Sequence, residues 1–172
     1  RERVLQERNR QLEIKVAERT ATVQKQKEEI ALKNENITDS IDYAKRIQEA
    51  VFVSRDEINK LLPESFIFFK PKDIVSGDFY WATEKNGKVF FAAADCTGHG
   101  VPGAFMSIIG CNLLNTIVND LGKQKPNEIL NELDALIFET LSQKGEGGKV
   151  KEVKDGMDIA VCVYDKKASS VE

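Results

Sequence analysis

Helix breakers are missing from the start of this chain. All eleven glycines lie at or after Gly77 and the first of the four prolines is Pro63, so nothing before Pro63 strongly interrupts a helix. Metal-binding side chains of the soft kind are scarce. Cys96, Cys111 and Cys162 are widely spaced and form no CxxC pair, and His99 is the only histidine. That argues against a thiolate–imidazole zinc site and reads the cysteines as small buried hydrophobes in a reducing compartment. A basic excess is missing too: 25 Lys+Arg stand against 28 Asp+Glu, a net charge of −3. Nucleic-acid and anionic-membrane binding both call for the opposite balance. No apolar run is expected to approach the roughly 18–20 residues that span a bilayer, and no basic start followed by a short apolar stretch marks a signal peptide. No membrane contact is therefore expected within the chain, and its expected place is the cytoplasm, with an upstream sensor as a route to membrane anchoring of a longer protein. Because it begins at Arg1, the chain is expected to be a piece of something longer.

What is present divides in two. With 172 residues, 41% hydrophobic and 31% charged, the composition is that of a globular chain with one core and an appendage. Residues 1–60 hold 13 Lys+Arg and 12 Asp+Glu and are rich in Glu, Lys, Gln and Arg, all good helix formers. Val16, Val23, Ile30, Ile37, Ala44 and Val51 recur every seven residues. Such a heptad predicts a coiled coil, here a parallel homodimer through residues 1–52. The second seam position reads Leu12, Arg19, Gln26, Lys33, Ser40 and Ile47, apolar only at its ends, so the seam is soft through its middle. As one straight helix, about 50 residues would reach roughly 75 Å, too long to lie on the domain that follows, residues 53–172.

That domain reads as α+β. Leu61-Leu62-Pro63 closes a short helix, and aromatic-rich Ser65–Lys70 and then Ile74–Trp81 read as strands. Asn86-Gly87 is a hairpin turn leading to the apolar strand Val89–Ala94. Pro102 suits the first turn of a buried helix running to about Leu121, and Pro126 opens a second helix. Gly145–Gly148 reads as a flexible loop, and Met157–Tyr164 as one more strand. Antiparallel strands with helices packed on the sheet follow from this order.

Two carboxylates stand in unusual company. Asp78 lies between Gly77 and aromatics, and Asp95 ends Phe90-Phe91-Ala92-Ala93-Ala94. If the hairpin pairs these strands, both face one sheet end. A carboxylate there is paired, hydrogen-bonded or bound to metal, and oxygen ligation suits Mg²⁺ or Mn²⁺. A plain turn-capping role is the alternative. Gly98-His99-Gly100 before a helix is a weak anion-binding signal, His99 in such a loop reads as a structural hydrogen-bonder ahead of a catalyst, and Asp155-Gly156-Met157-Asp158 reads as a turn entering a strand.

The longer stretches are more specific. Phe69-Lys70-Pro71-Lys72-Asp73-Ile74-Val75-Ser76-Gly77-Asp78-Phe79-Tyr80-Trp81 resembles the first metal-site motif of SpoIIE-type phosphatases, the bacterial branch of the metal-dependent (PPM) Ser/Thr protein phosphatases. Ala94-Asp95-Cys96-Thr97-Gly98-His99-Gly100-Val101-Pro102-Gly103-Ala104 is similar to that branch's Asp-x-x-Gly-His-Gly signature. Ile37–Ala50 resembles the segment preceding these domains in sensor proteins, and Ala17-Glu18-Arg19-Thr20 a signalling-helix linker.

The resemblance implies a partial PPM-type α-β-β-α sandwich behind a long coiled-coil helix. It implies a two-metal centre of Mg²⁺ or Mn²⁺, at which water attacks phosphoserine or phosphothreonine without a phosphoenzyme. It assigns Asp95 as the metal-bridging carboxylate, the Cys96 backbone carbonyl as a neighbouring ligand and Asp78 as the first-motif acid. No general-acid role passes to His99. The partner it implies is a phosphorylated regulatory protein, such as an anti-sigma-factor antagonist. The family's later acidic motifs are expected beyond the Met157–Tyr164 strand, and Glu172 is reached without them. The metal site is thus expected to be incomplete and this piece inactive or very weak. The rival expectation is a non-catalytic dimerisation scaffold with a degenerate phosphatase fold. A histidine-kinase dimerisation helix is disfavoured, since residues 1–60 contain no histidine.

Overall fold

The computed structural model describes residues 1–142 and 155–172; the loop expected over Gly145–Gly148 lies outside the described residues. Two compact units emerge, Arg1–Ser40 and Ile41–Glu172. The first is a single helical rod, most of α1 (Glu2–Val51). Its breaker-free composition sustains the helix, and exposed pairs such as Lys33–Glu29 at 2.7 Å add i,i+4 support. The heptad residues Val16, Val23, Ile30 and Ile37 are all exposed.

The second unit contains the last turns of α1, then α2 (Arg55–Leu61), β1 (Phe79–Lys85), β2 (Lys88–Cys96), α3 (Val101–Asn115), a π-helical turn (Thr116–Asp120), α4 (Pro126–Leu141), β3 (Met157–Asp165) and β4 (Ser170–Val171). Ser54 opens α2, its Oγ accepting from the Glu57 N–H at 3.1 Å. The strands form one antiparallel sheet in the order β1-β2-β3-β4. Asn86 and Gly87 both take positive φ, 56° and 78°, as the two-residue turn between β1 and β2 requires.

One face of the sheet is greasy and covered. Phe79 and Trp81 of β1, Phe90, Ala92, Ala94 and Cys96 of β2, and Val163 of β3 point to it and meet Met106, Leu114, Ile117, Ile129 and Leu133 from the helical layer. The period of two is what a half-covered sheet needs. The polar atoms at its margin are matched. Trp81 Nε1 donates to Asn115 Oδ1 at 2.9 Å. Lys85 Nζ donates to the carbonyls of Val118 and Asn119 at 2.8 and 2.7 Å, satisfying free helix-end carbonyls with a cation.

The α+β class is as expected, with three corrections. Ser65–Lys70 is no strand: it joins no ladder among the described residues, and Phe66 and Phe68 are 90% and 85% exposed. Aromatic content supplies propensity, but a strand exists only where a partner accepts its hydrogen bonds. The next strand begins at Phe79, not Ile74, because the backbone of Ser76 bonds a side chain instead of a neighbouring strand. Finally, Val101–Asp120 is long and apolar enough, by length and composition, to cross a membrane, contrary to the expectation that no apolar run reaches that length. Half of it is buried in this fold, as a core helix under a sheet must be.

Leu114 is fully buried at the centre of that helical layer. Leu114→Ala is expected to lower unfolding stability by about 2–5 kcal/mol, measured by urea denaturation, whereas Leu32→Ala on the exposed rod should change it by less than about 0.5 kcal/mol.

Candidate metal centre

Strand register places the first two candidate residues together. Asp78 immediately precedes β1 and Asp95 is the last residue but one of β2. Since Phe79 pairs with Ala94, Asp78 stands opposite Asp95. Their neighbours Phe79, Ala94 and Cys96 are buried against the helices, so alternation turns both carboxylates to the other face.

Asp158, read from the sequence as a turn residue without chemistry, is paired with Asp95 across β3. All three aspartates line a cavity of about 980 Å³ walled by Phe66, Phe68, Tyr80 and Phe91. Alternation alone places Asp158 opposite Met157; only the register of β3 on β2 brings it beside Asp95.

Two like charges at this spacing oppose each other. Partial burial, and then the neighbouring Asp95 through a shared hydrogen bond and repulsion, hold the Asp78 carboxyl above its ordinary value. Cys96 points the other way. Its side chain is buried, and burial followed by the charges of Asp95 and Asp78 pushes its thiol up to about 12. A protonated, inward-facing thiol is no metal ligand near neutrality, which leaves Cys96 only its backbone oxygen to offer. That oxygen lies 3.4 Å from where a Cβ on Gly77 would stand, and the Gly98 oxygen 2.9 Å. A Cβ on Gly103 would meet the same Gly98 oxygen at 2.7 Å. Glycine at both positions lets three backbone segments close on one another beside the aspartates.

Two carboxylates and a nearby carbonyl are hard oxygen donors, the set that suits Mg²⁺ or Mn²⁺. Their mutual repulsion is what a cation between them would relieve. Among the described residues no three His, Cys, Asp or Glu side chains converge closely enough to hold an ion. The residues fit part of a metal site.

The loop after Asp95 is tied at several points. The Thr97 N–H donates to the Gly156 carbonyl at 2.9 Å, and the Gly156 N–H donates to Thr97 Oγ1 at 2.9 Å. His99 Nδ1 lies 3.1 Å from Asp73 Oδ2, a structural hydrogen bond of the kind the sequence left open.

The largest omission of sequence reasoning is Gln48, at the end of α1 and only 3% exposed. Its Nε2 donates to the Ser76 carbonyl at 2.6 Å and to Ser107 Oγ at 2.8 Å, and its Oε1 accepts from the Ser76 N–H at 3.1 Å. Ser107 Oγ in turn donates to the Ala104 carbonyl at 2.9 Å. This knot holds the segment two residues before Asp78 to both α1 and α3. Its signal was available: Ile41, Ala44, Gln48 and Val51 make an i, i+3, i+7, i+10 stripe with one polar member.

A family model described as stage II sporulation protein E (SpoIIE) matches residues 85–172, half of the chain. Among solved structures, the SiaA-PP2C domain of Pseudomonas aeruginosa is 31% identical, with a TM-score of 0.66. The match covers 78% of this chain and 51% of that one, so the chain spans about half the length of this relative. No curated protein matches.

The raised Asp78 titration has a definite sign. Ionising Asp78 costs the metal-free fold stability; the cost is absent below the ordinary carboxylate range and complete above the raised folded value. Asp78→Asn should therefore raise the melting temperature of the metal-free chain at pH 7 by about 1–3 °C, the scale of an exposed charge pair, and bring no gain at pH 3. Thermal unfolding in EDTA at the two pH values checks this.

Proposed function

This chain belongs to the SpoIIE family, and from that premise we propose that it is the linker and first part of a Mg²⁺- or Mn²⁺-dependent Ser/Thr protein phosphatase. The observation that carries the reading is the meeting of Asp78 and Asp95 at one sheet end, beside the Cys96 carbonyl. The substrate is phosphoserine or phosphothreonine on a regulatory protein, with an anti-sigma-factor antagonist as the kind to try first.

When bound, the divalent ions supply Lewis-acid activation of water and neutralise phosphoryl charge. The chain's own part is to hold and orient. Asp95 and Asp78 supply the negative charge that retains the ions, and the strands fix the separation of the two carboxylates. Gly77 and Gly103 let the Cys96 and Gly98 carbonyls approach. Further acidic ligands belong to a longer protein, so activity is a property of that protein and not of this piece.

Residues 1–52 form a homodimer in this reading. The exposed Val16, Val23, Ile30 and Ile37 stripe supports it, because an apolar heptad finds its cover in a second helix. An upstream sensor twists or clamps this soft seam, and Gln48 supplies the physical link: it lies on the same helix and bonds both the N–H and the carbonyl of Ser76.

Manganese-dependent hydrolysis of a chromogenic phosphate ester tests the reading. A protein extended by about 80–100 residues, a single-domain allowance, should be active, and Asp95→Asn should lower its rate by about 100-fold or more. Activity already present in the 172-residue chain would overturn the incomplete-site account. Silence of the extended protein towards the ester and a phosphoprotein alike would favour the scaffold reading. Replacing Arg19, Gln26 and Lys33 together by Leu should tighten the dimer in sedimentation and change the activity of the full-length protein; unchanged activity would dismiss coupling through the coil.

A further inference from the structure

The loop Thr97–Gly100 follows Asp95 and has little stiffness of its own. His99 stands between Gly98 and Gly100, both at positive φ, 87° and 65°, where glycine adopts the conformation at the cost of backbone freedom. Two of its ties run to other elements: Thr97 to Gly156, before β3, and the Gly98 carbonyl against the α-carbon side of Gly77 and Gly103. The third runs from His99 Nδ1 to Asp73 Oδ2. Asp73 belongs to the segment that leads to Asp78. Among the described residues this is the one side chain–side chain hydrogen bond joining that segment to the loop after Asp95.

Asp73 also lies beside the start of α3. Its Oδ2 lies 3.9 Å from where a Cβ on Gly100 would stand, at the start of α3. Gly100 caps that helix without a side-chain hydrogen bond, so the free N–H end of α3 favours a carboxylate there.

We propose that Asp73 and His99 are a positioning pair, which holds the loop after Asp95, and with it the Gly98 carbonyl, against the segment that leads to Asp78. Its bearing on cation binding rests on the metal-site reading above; its effect on the loop does not. His99 thus acts through the loop and touches no reacting atom.

The test uses the whole chain with Asp73→Asn, His99→Gln, the double variant and the charge swap Asp73→His with His99→Asp. Both groups are exposed, so the fold is retained, and circular dichroism confirms it. Backbone ¹⁵N order parameters at Gly98–Gly100 should fall below about 0.6 in either single variant, go no lower in the double variant and recover in the swap. Manganese affinity of the extended protein with the same substitutions, read by EPR, should weaken about threefold to fivefold, the scale of an exposed ion pair, and be likewise non-additive. Unchanged order parameters overturn the proposal whether or not manganese binds. A loosened loop with unchanged manganese affinity overturns the positioning role. An extended wild-type protein that binds no manganese refutes the metal-site reading instead, while the order parameters still decide whether the pair holds the loop.

Discussion

The turn at Asn86-Gly87 fixes which residue of β1 faces which residue of β2, and the rest of the site depends on that register. Phe79 opposite Ala94 puts Asp78 opposite Asp95 and sends Phe79, Trp81, Phe90 and Ala92 to the helices. A slip by one residue would turn the aromatic set to the open face and the aspartates into the core. Burying Phe79, Trp81 and Phe90 therefore does double duty. The hydrophobic term that assembles the sheet on α3 and α4 also keeps two repelling carboxylates side by side. No attraction between the ionised aspartates is needed: Asp78 is held above its ordinary titration by burial and by its neighbour.

A second constraint comes from the backbone before β1. Ile74–Asp78 joins no ladder, so its polar groups need partners elsewhere. Gln48 supplies them for Ser76, satisfying both its N–H and its carbonyl. A buried side-chain amide is costly unless its hydrogen bonds are made. Here the amide oxygen accepts one bond and the amide nitrogen donates two. The arrangement is specific because leaving any member out strands a buried polar group. It also joins the end of the linker helix, the approach to Asp78 and the core helix α3 in one network.

The open face of the sheet has a different character. Tyr80, Phe91 and the Phe66–Phe69 segment line the same open groove as the three aspartates, and Phe69 meets Tyr80 edge-on with ring centroids 5.4 Å apart. The three aspartates themselves stay exposed to solvent, which screens the repulsion within the acidic row.

Periodicity and turn chemistry were sufficient for the elements whose reasons are local. The breaker-free helix, the Asn86-Gly87 hairpin, the proline-started helices and the Met157 strand are all legible because each depends on residues a few positions apart. The pairing of Asp78 with Asp95 was also within reach, since a two-residue turn determines its own register. Other features depended on partners distant in the chain. Ser65–Lys70 has strand propensity without a ladder, Asp158 reaches Asp95 only through the return of β3, and Gln48 meets Ser76 and Ser107 across 28 and 59 residues. Local sequence carries torsional preference and hydrophobic period. Which polar groups end up sharing a buried space is decided by packing, because that depends on what the completed core leaves beside them.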